Sequence, residues 1–191
     1  MKLLRLLLPV LLLAGLLCAC TGPTAAGKWS AAVDCAALSE RMGNLPETFD
    51  ASGLELKLDL TCAENGTYTL RVNEDSLNAM LEAMHEPLAR AALQTVRDTY
   101  DLTETEAIAR LSEQGVTVDA LVYEFLASVD RDAVLRPVSG KWRWTEGKLY
   151  LSDKTDGYYE AVLEGDELRL TACRGTDAAQ LADLLPLTFR R

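Results

Sequence analysis

A single histidine among 191 residues leaves little for imidazole chemistry. A serine or cysteine nucleophile that needs an imidazole base has only His85 to rely on. No Gly-x-Ser-x-Gly, Walker or dinucleotide-binding fingerprint occurs. The five cysteines include no CxxC, so a metal centre would need dispersed ligands. Glu82, His85 and Glu86 share a helical face, but Pro87 adjoins them and no HExxH is present, which favours a solvated polar face over a metal site. Carboxylates are plentiful, but acid–base catalysis needs two at a defined separation in a cleft, which a sequence alone does not show. Basic residues are outnumbered, 19 Lys and Arg against 29 Asp and Glu, for a net charge of −10. That balance argues against nucleic acid or an anionic lipid surface as partner. The expected class is therefore a non-enzymatic protein without metal or cofactor.

The one long hydrophobic run is at the N-terminus. Lys2 and Arg5 precede residues 6–17, which are apolar except for Pro9 and Gly15. About a dozen apolar residues are too few to span a bilayer comfortably and read as a signal-peptide core. The run ends in Leu17-Cys18-Ala19-Cys20, which resembles the bacterial lipobox. That resemblance implies lipidation of the Cys20 thiol, cleavage before it and acylation of the new amine. Cys18 fits the modified position worse, because Leu17 would then stand immediately before it. The expectation is a signal peptide over residues 1–19, a lipidated tether over 20–26 and a home on the extracytoplasmic face of a bacterial membrane. Two or three acyl chains on one residue suffice for stable anchoring. Cleavage would leave 172 residues and, by removing Lys2 and Arg5, a net charge of −12.

The remainder alternates between two periodicities. Residues 140–173 read as four short strands, with Glu146-Gly147, Asp156-Gly157 and Gly165-Asp166 as turns. Trp142 and Trp144, Leu149 and Leu151, the set Tyr158, Glu160 and Val162, and the set Leu168, Leu170 and Ala172 fall on alternate positions. Upstream, Trp29, Ala31 and Val33 share a face of a first strand over 27–34. Leu54, Leu56, Leu58 and Leu60 alternate with polar residues and point inward over 54–62. Asn65-Gly66 turns the chain into a strand over 67–73. The glycosylation sequon Asn65-Gly66-Thr67 reads as this turn. Asp34 caps a short helix over 35–42, and Thr176 or Asp177 caps another to Leu184. From Leu77 to Tyr100 apolar residues recur at helical spacing, with Pro87 as a break. Thr103 and Glu106 form a capping box for a second helix ended by Gly115, and Thr117 or Asp119 caps a third.

Eight strands result, near 27–34, 54–62, 67–73, 138–144, 148–152, 157–163, 166–173 and 186–191. An open meander leaves raw edges, and closure removes them. The expected fold is α+β: an eight-stranded antiparallel up-and-down barrel with a helical unit, residues 75–133, inserted between strands three and four of one domain over 27–191. An open antiparallel sheet or a β-sandwich packed on the helices is the alternative. Gly27-Lys28-Trp29, the meander and the terminal Arg190 and Arg191 resemble a lipocalin-type barrel. The resemblance implies that Trp29 packs at the closed end against Arg190 or Arg191, a structural role. The helices after the third strand depart from that family's pattern, and so does the place of its ligand mouth.

Strand polarity sorts the connections. Tight turns and the tether gather at one end, while the long helical links gather at the other, where loops carry function. Cys35 and Cys173 fall at the helical end, which favours a bridge between them in an oxidising compartment and leaves Cys62 a buried free thiol. Trp142, Trp144, Tyr68 and either Tyr158 or Tyr159 could line a ligand pocket, or could simply fill a narrow barrel. The functional expectation is a lipid-anchored, lipocalin-like protein that binds a small apolar ligand or a peptide at its helix-covered end. The alternative is an acidic interaction or inhibitor module, without a cavity, that docks a basic envelope protein.

Overall fold

Eight strands and five helices account for most of the computed structural model, which describes residues 24–36, 48–152, 157–175, 182 and 184–191. The strands are β1 (Gly27–Asp34), β2 (Glu55–Cys62), β3 (Thr67–Val72), β4 (Val138–Thr145), β5 (Lys148–Ser152), β6 (Tyr158–Glu164), β7 (Glu167–Arg174) and β8 (Leu187–Arg190). They pair in sequence order as an antiparallel closed barrel. Between β3 and β4 lie α1 (Glu74–Ala83), α2 (His85–Tyr100), α3 (Glu104–Glu113), α4 (Val118–Ala127) and α5 (Arg131–Leu135). The expected barrel with its helical insertion is thus the observed fold. The signal segment with Cys18 and Cys20, nearly all of the helix expected after Asp34 and most of that expected after Thr176 lie outside the described residues.

The strands form where apolar residues alternate. Leu60, Leu149, Leu151, Leu168, Leu170 and Phe189 are completely inaccessible and meet in the barrel interior. Each such side chain contributes about 1.5–3 kcal/mol by leaving water. No polar or charged residue among those described is buried with them. Closure comes where Arg190 of β8 pairs in register with Ser30 of β1 and with Glu167 of β7. At Gly140 of β4 an added Cβ would stand 1.9 Å from the Ser152 carbonyl oxygen, so only glycine lets β4 and β5 approach there.

The insertion obeys local rules. Asn73 caps α1 by accepting from the Ser76 amide. The Thr103–Glu106 capping box is present in both halves and opens α3. Thr117, not Asp119, caps α4. Helical periodicity breaks at Met84: Pro87, in the first turn of α2, has no amide to give to Ala83. Asp130 caps α5, which lengthens the helical unit to Leu135. Five residues are too few to show a period, so no pattern announced this helix.

The inner face of the β1–β2 hairpin runs past the barrel. There Cys35, Leu54 and Leu56 leave the barrel interior and join Met80, Met84, Leu88, Val122 and Phe125 in a second core. The leucine alternation of β2 therefore serves two cores, Leu58 and Leu60 in the barrel and Leu54 and Leu56 beneath the helices. That contact fixes the helical unit at the end of the barrel opposite the start of β1.

At the other end Trp29 is buried and its indole donates to the Ala25 carbonyl at 2.9 Å. The Arg191 guanidinium lies 4.4 Å from the centroid of the Trp29 ring and donates to the carbonyls of Thr24 and Ala26. Arg190 points outward to Glu167 at 2.9 Å. The partner of Trp29 is thus Arg191. Replacing Arg191 by Ala should cost about 1–2 kcal/mol in urea unfolding, since a cation–π contact and two hydrogen bonds are lost. Arg190→Ala, which breaks an exposed ion pair, should cost about 0.5 kcal/mol or less. Equal losses, or the reverse order, would contradict the assignment.

Candidate functional site

The aromatic candidates divide between the two ends and the two faces of the barrel. Trp142 and Trp144 are half-buried on β4 and pack against the barrel core near the turn end. The Trp142 indole donates to the Ala63 carbonyl at 2.9 Å, and its amide donates to Gly66, so it pins the β2–β3 turn. Tyr68 is buried on β3 at the same end. All three tryptophans and Tyr68 are therefore committed to the end with the tight turns.

Tyr158 is on the outer face, edge-on to Tyr150 with ring centroids 5.7 Å apart. Tyr159 takes the inner place and is buried. The reason is register. Leu149 and Leu151 face inward and stand opposite Ala161 and Tyr159, and residues directly opposite share a face. The set Tyr158, Glu160 and Val162 would have brought a glutamate into the core. Tyr158 therefore does not join Trp142, Trp144 and Tyr68, and the four expected ligand residues do not meet in one pocket.

Open space is found at the helical end. A cleft of about 590 Å³ lies between α1 and the upper part of β2, with Leu54, Ala79, Met80 and Ala83 on its apolar side and Glu55, Lys57 and Asp75 on its polar side. It forms because β3 stops short of β2. Their ladder ends at Leu58 opposite Val72. Beyond it the Asn73 amide donates to the Lys57 carbonyl and the Lys57 amide to the Ser76 hydroxyl, both at 2.8 Å. Glu55, two residues on, directs its main chain the same way, into the cleft. A smaller hollow of about 170 Å³ opens at the upper rim of the barrel, where Leu58, Leu70, Val138 and Tyr159 look up at Ala133 and Val134.

The thiols correct one expectation. Cys35, Cys62 and Cys173 are all free, and the Cys35–Cys173 bridge is not formed. β8 stands between their strands, so two strand spacings, roughly 10 Å, separate them, beyond the ~7 Å reach of a disulfide. The Cys35 Sγ instead rests 3.4 Å from the Met80 Sδ. Burial, with the charges of Asp34 and Glu55 beside it, raises the pKa of Cys35. Burial alone pushes the Cys62 thiol up to about 11.

His85 is exposed, with its Nε2 3.9 Å from the Asp119 Oδ1 of α4. Among the described residues no group of three or more His, Cys, Asp or Glu side chains is placed to hold a metal ion. Likewise no described helix is long and apolar enough to cross a membrane. Asn65 accepts from both the amide and the hydroxyl of Thr67, which makes the sequon a tight turn. Compared with known families, curated proteins and solved structures, the chain has no match.

The thiols generate a test. In a soluble chain starting at Thr21, maleimide at pH 8 should label the half-buried Cys173 first and Cys62 last, at a rate set by unfolding. The unfolded thiol ionises near 9.0 and the folded Cys62 near 11, so the protonated form is favoured by folding. Its stabilisation is complete below pH 9 and is lost as pH rises through 11. The stability of Cys62→Val should therefore fall less over that window than that of the parent chain. Equal labelling rates for Cys62 and Cys173 would refute this placement.

Proposed function

We propose that this protein is a membrane-anchored, extracytoplasmic binding module, lipocalin-like in its barrel, which recognises a peptide or a small apolar ligand at its helical end. The observation that carries this reading is polarity. The chain enters the barrel at the end closed by Trp29 and Arg191, directly after the expected tether. The cleft and the helices stand at the opposite end, so a tether over residues 20–26 would hold them away from the membrane. A filled barrel supports recognition outside its interior, since an eight-stranded barrel has little room to spare. The cleft's volume falls within the about 300–1,000 Å³ common for ligand sites. Its mixture of apolar side chains with the main chain of β2 suits an extended peptide, which would pair beside Glu55 and set a side chain against Met80.

A second reading, an acidic docking module, is favoured by the charge distribution. Residues 74–135 hold thirteen of the 29 acidic residues but only four of the 19 basic ones, so the helical unit carries −9 of the net −10.

Cross-linking in cells tests the first reading. A photoreactive residue at Ala79, within the cleft, should yield discrete adducts, and one at Glu146, in the opposite turn, should not. Cys20→Ala should abolish incorporation of labelled fatty acid and release from the membrane any chain that is still cleaved. Adducts from Glu146 alone, or undiminished lipid labelling in Cys20→Ala, would overturn the corresponding half of the proposal.

A further inference from the structure

Every large apolar side chain that is exposed among the described residues lies in the helical unit: Tyr100, Ile108, Tyr123 and Val134. Tyr123 on α4 is the most exposed, at 75%. Helical spacing sets Asp119, Ala120 and Ala127 around it, Glu124 follows about 100° further round the helix, and all four are exposed. The opposite face of α4 is committed, because Val122, Phe125 and Leu126 pack in the second core. The helix therefore cannot turn Tyr123 inward. What remains is a flat aromatic ring between two alanines, with the Asp119 carboxylate one turn before it, on a helix that contains no basic residue.

The same unit displays the complement of such a ring. The Arg110 guanidinium lies 4.0 Å above the ring of Tyr100. Among the described residues Tyr123 has no cation over its ring. We infer that the outer face of α4 docks an arginine-bearing basic segment of a partner protein, with a guanidinium laid over Tyr123 and its N–H groups donating to Asp119, one turn before it. This deepens the docking reading and is independent of the cleft around Ala79. Arginine fits better than lysine, because a planar guanidinium can stack on a ring and donate to a carboxylate at once. The net charge of the unit also draws a basic partner by long-range attraction. A second copy of the chain would bring another −9 against this one, and an anionic membrane would be repelled in the same way.

The test uses the mature lipidated chain in detergent, with fluorescent oligo-arginine and oligo-lysine peptides of equal length as probes. Oligo-arginine should bind more tightly, and added salt should weaken it. Tyr123→Ala should weaken it about fivefold, the scale of a cation–π contact. Tyr123→Phe, which keeps the ring, should restore binding. Asp119→Asn should weaken it as well. A control at the opposite end, Glu146→Gln, removes the same charge and should change binding little. Unchanged binding in Tyr123→Ala, or a loss in the control equal to that in Asp119→Asn, would overturn the proposal in favour of diffuse acidity. So would equal affinity for the two peptides, or a dimer in sedimentation that Tyr123→Ala dissolves. Circular dichroism identical to the parent would show that these exposed substitutions leave the fold intact. Failed cross-linking at Ala79 would remove the cleft reading and leave this one standing.

Discussion

Barrel closure is the constraint on which the rest of the molecule depends. Each strand pairs with the one that precedes it in sequence, but the outer edges stay raw until β8 meets β1. That last pairing has the largest sequence separation and therefore the largest loop-closure cost. It is held by Phe189 and Leu187 within the core and by Arg191 beneath it. Arg191 reaches the Trp29 ring and the carbonyls of Thr24 and Ala26, so one side chain ties the C-terminal strand to the chain just before β1. The segment that enters the barrel is thus fixed to its base.

Once the barrel is closed, its content decides what it can do. Large side chains from β2, β5, β7 and β8 meet inside it without exposed surface. Trp142, which could have faced a ligand, braces the β2–β3 turn instead through Ala63. The helical unit is docked through Leu54, Leu56 and Cys35, an extension of the inner face of the first hairpin. The barrel becomes a pedestal, and the clefts, the exposed aromatics and most of the net negative charge collect above it. The functional reading follows from that separation of a packed support from a strongly acidic, irregular upper surface.

Much of this was legible in the residues. Strands with strict alternation and glycine turns, such as 54–62 or 148–152, can only be written one way, and caps such as Thr103 with Glu106 mark a helix start locally. Phase was harder. Tyr158 and Tyr159 are both aromatic, and only the register against Leu149 and Leu151 decides which points inward. The disulfide failed for a related reason: polarity placed Cys35 and Cys173 at one end, but the distance across β8 is set by closure, which no local pattern reports. α5 was too short to have a period. The cleft was invisible because it arises where β3 ends before β2 does, and the solvent face of α4 gained meaning only when its other face was seen to be occupied.

The most direct test of the central claim, a solid barrel beneath a recognising cap, is a crystal structure under xenon pressure, since xenon enters dry apolar cavities. The account predicts no xenon within the barrel core and admits it only at the upper rim, between Tyr159 and Val134. A xenon atom among Leu149, Leu168 and Phe189 would reveal a hollow interior and contradict it.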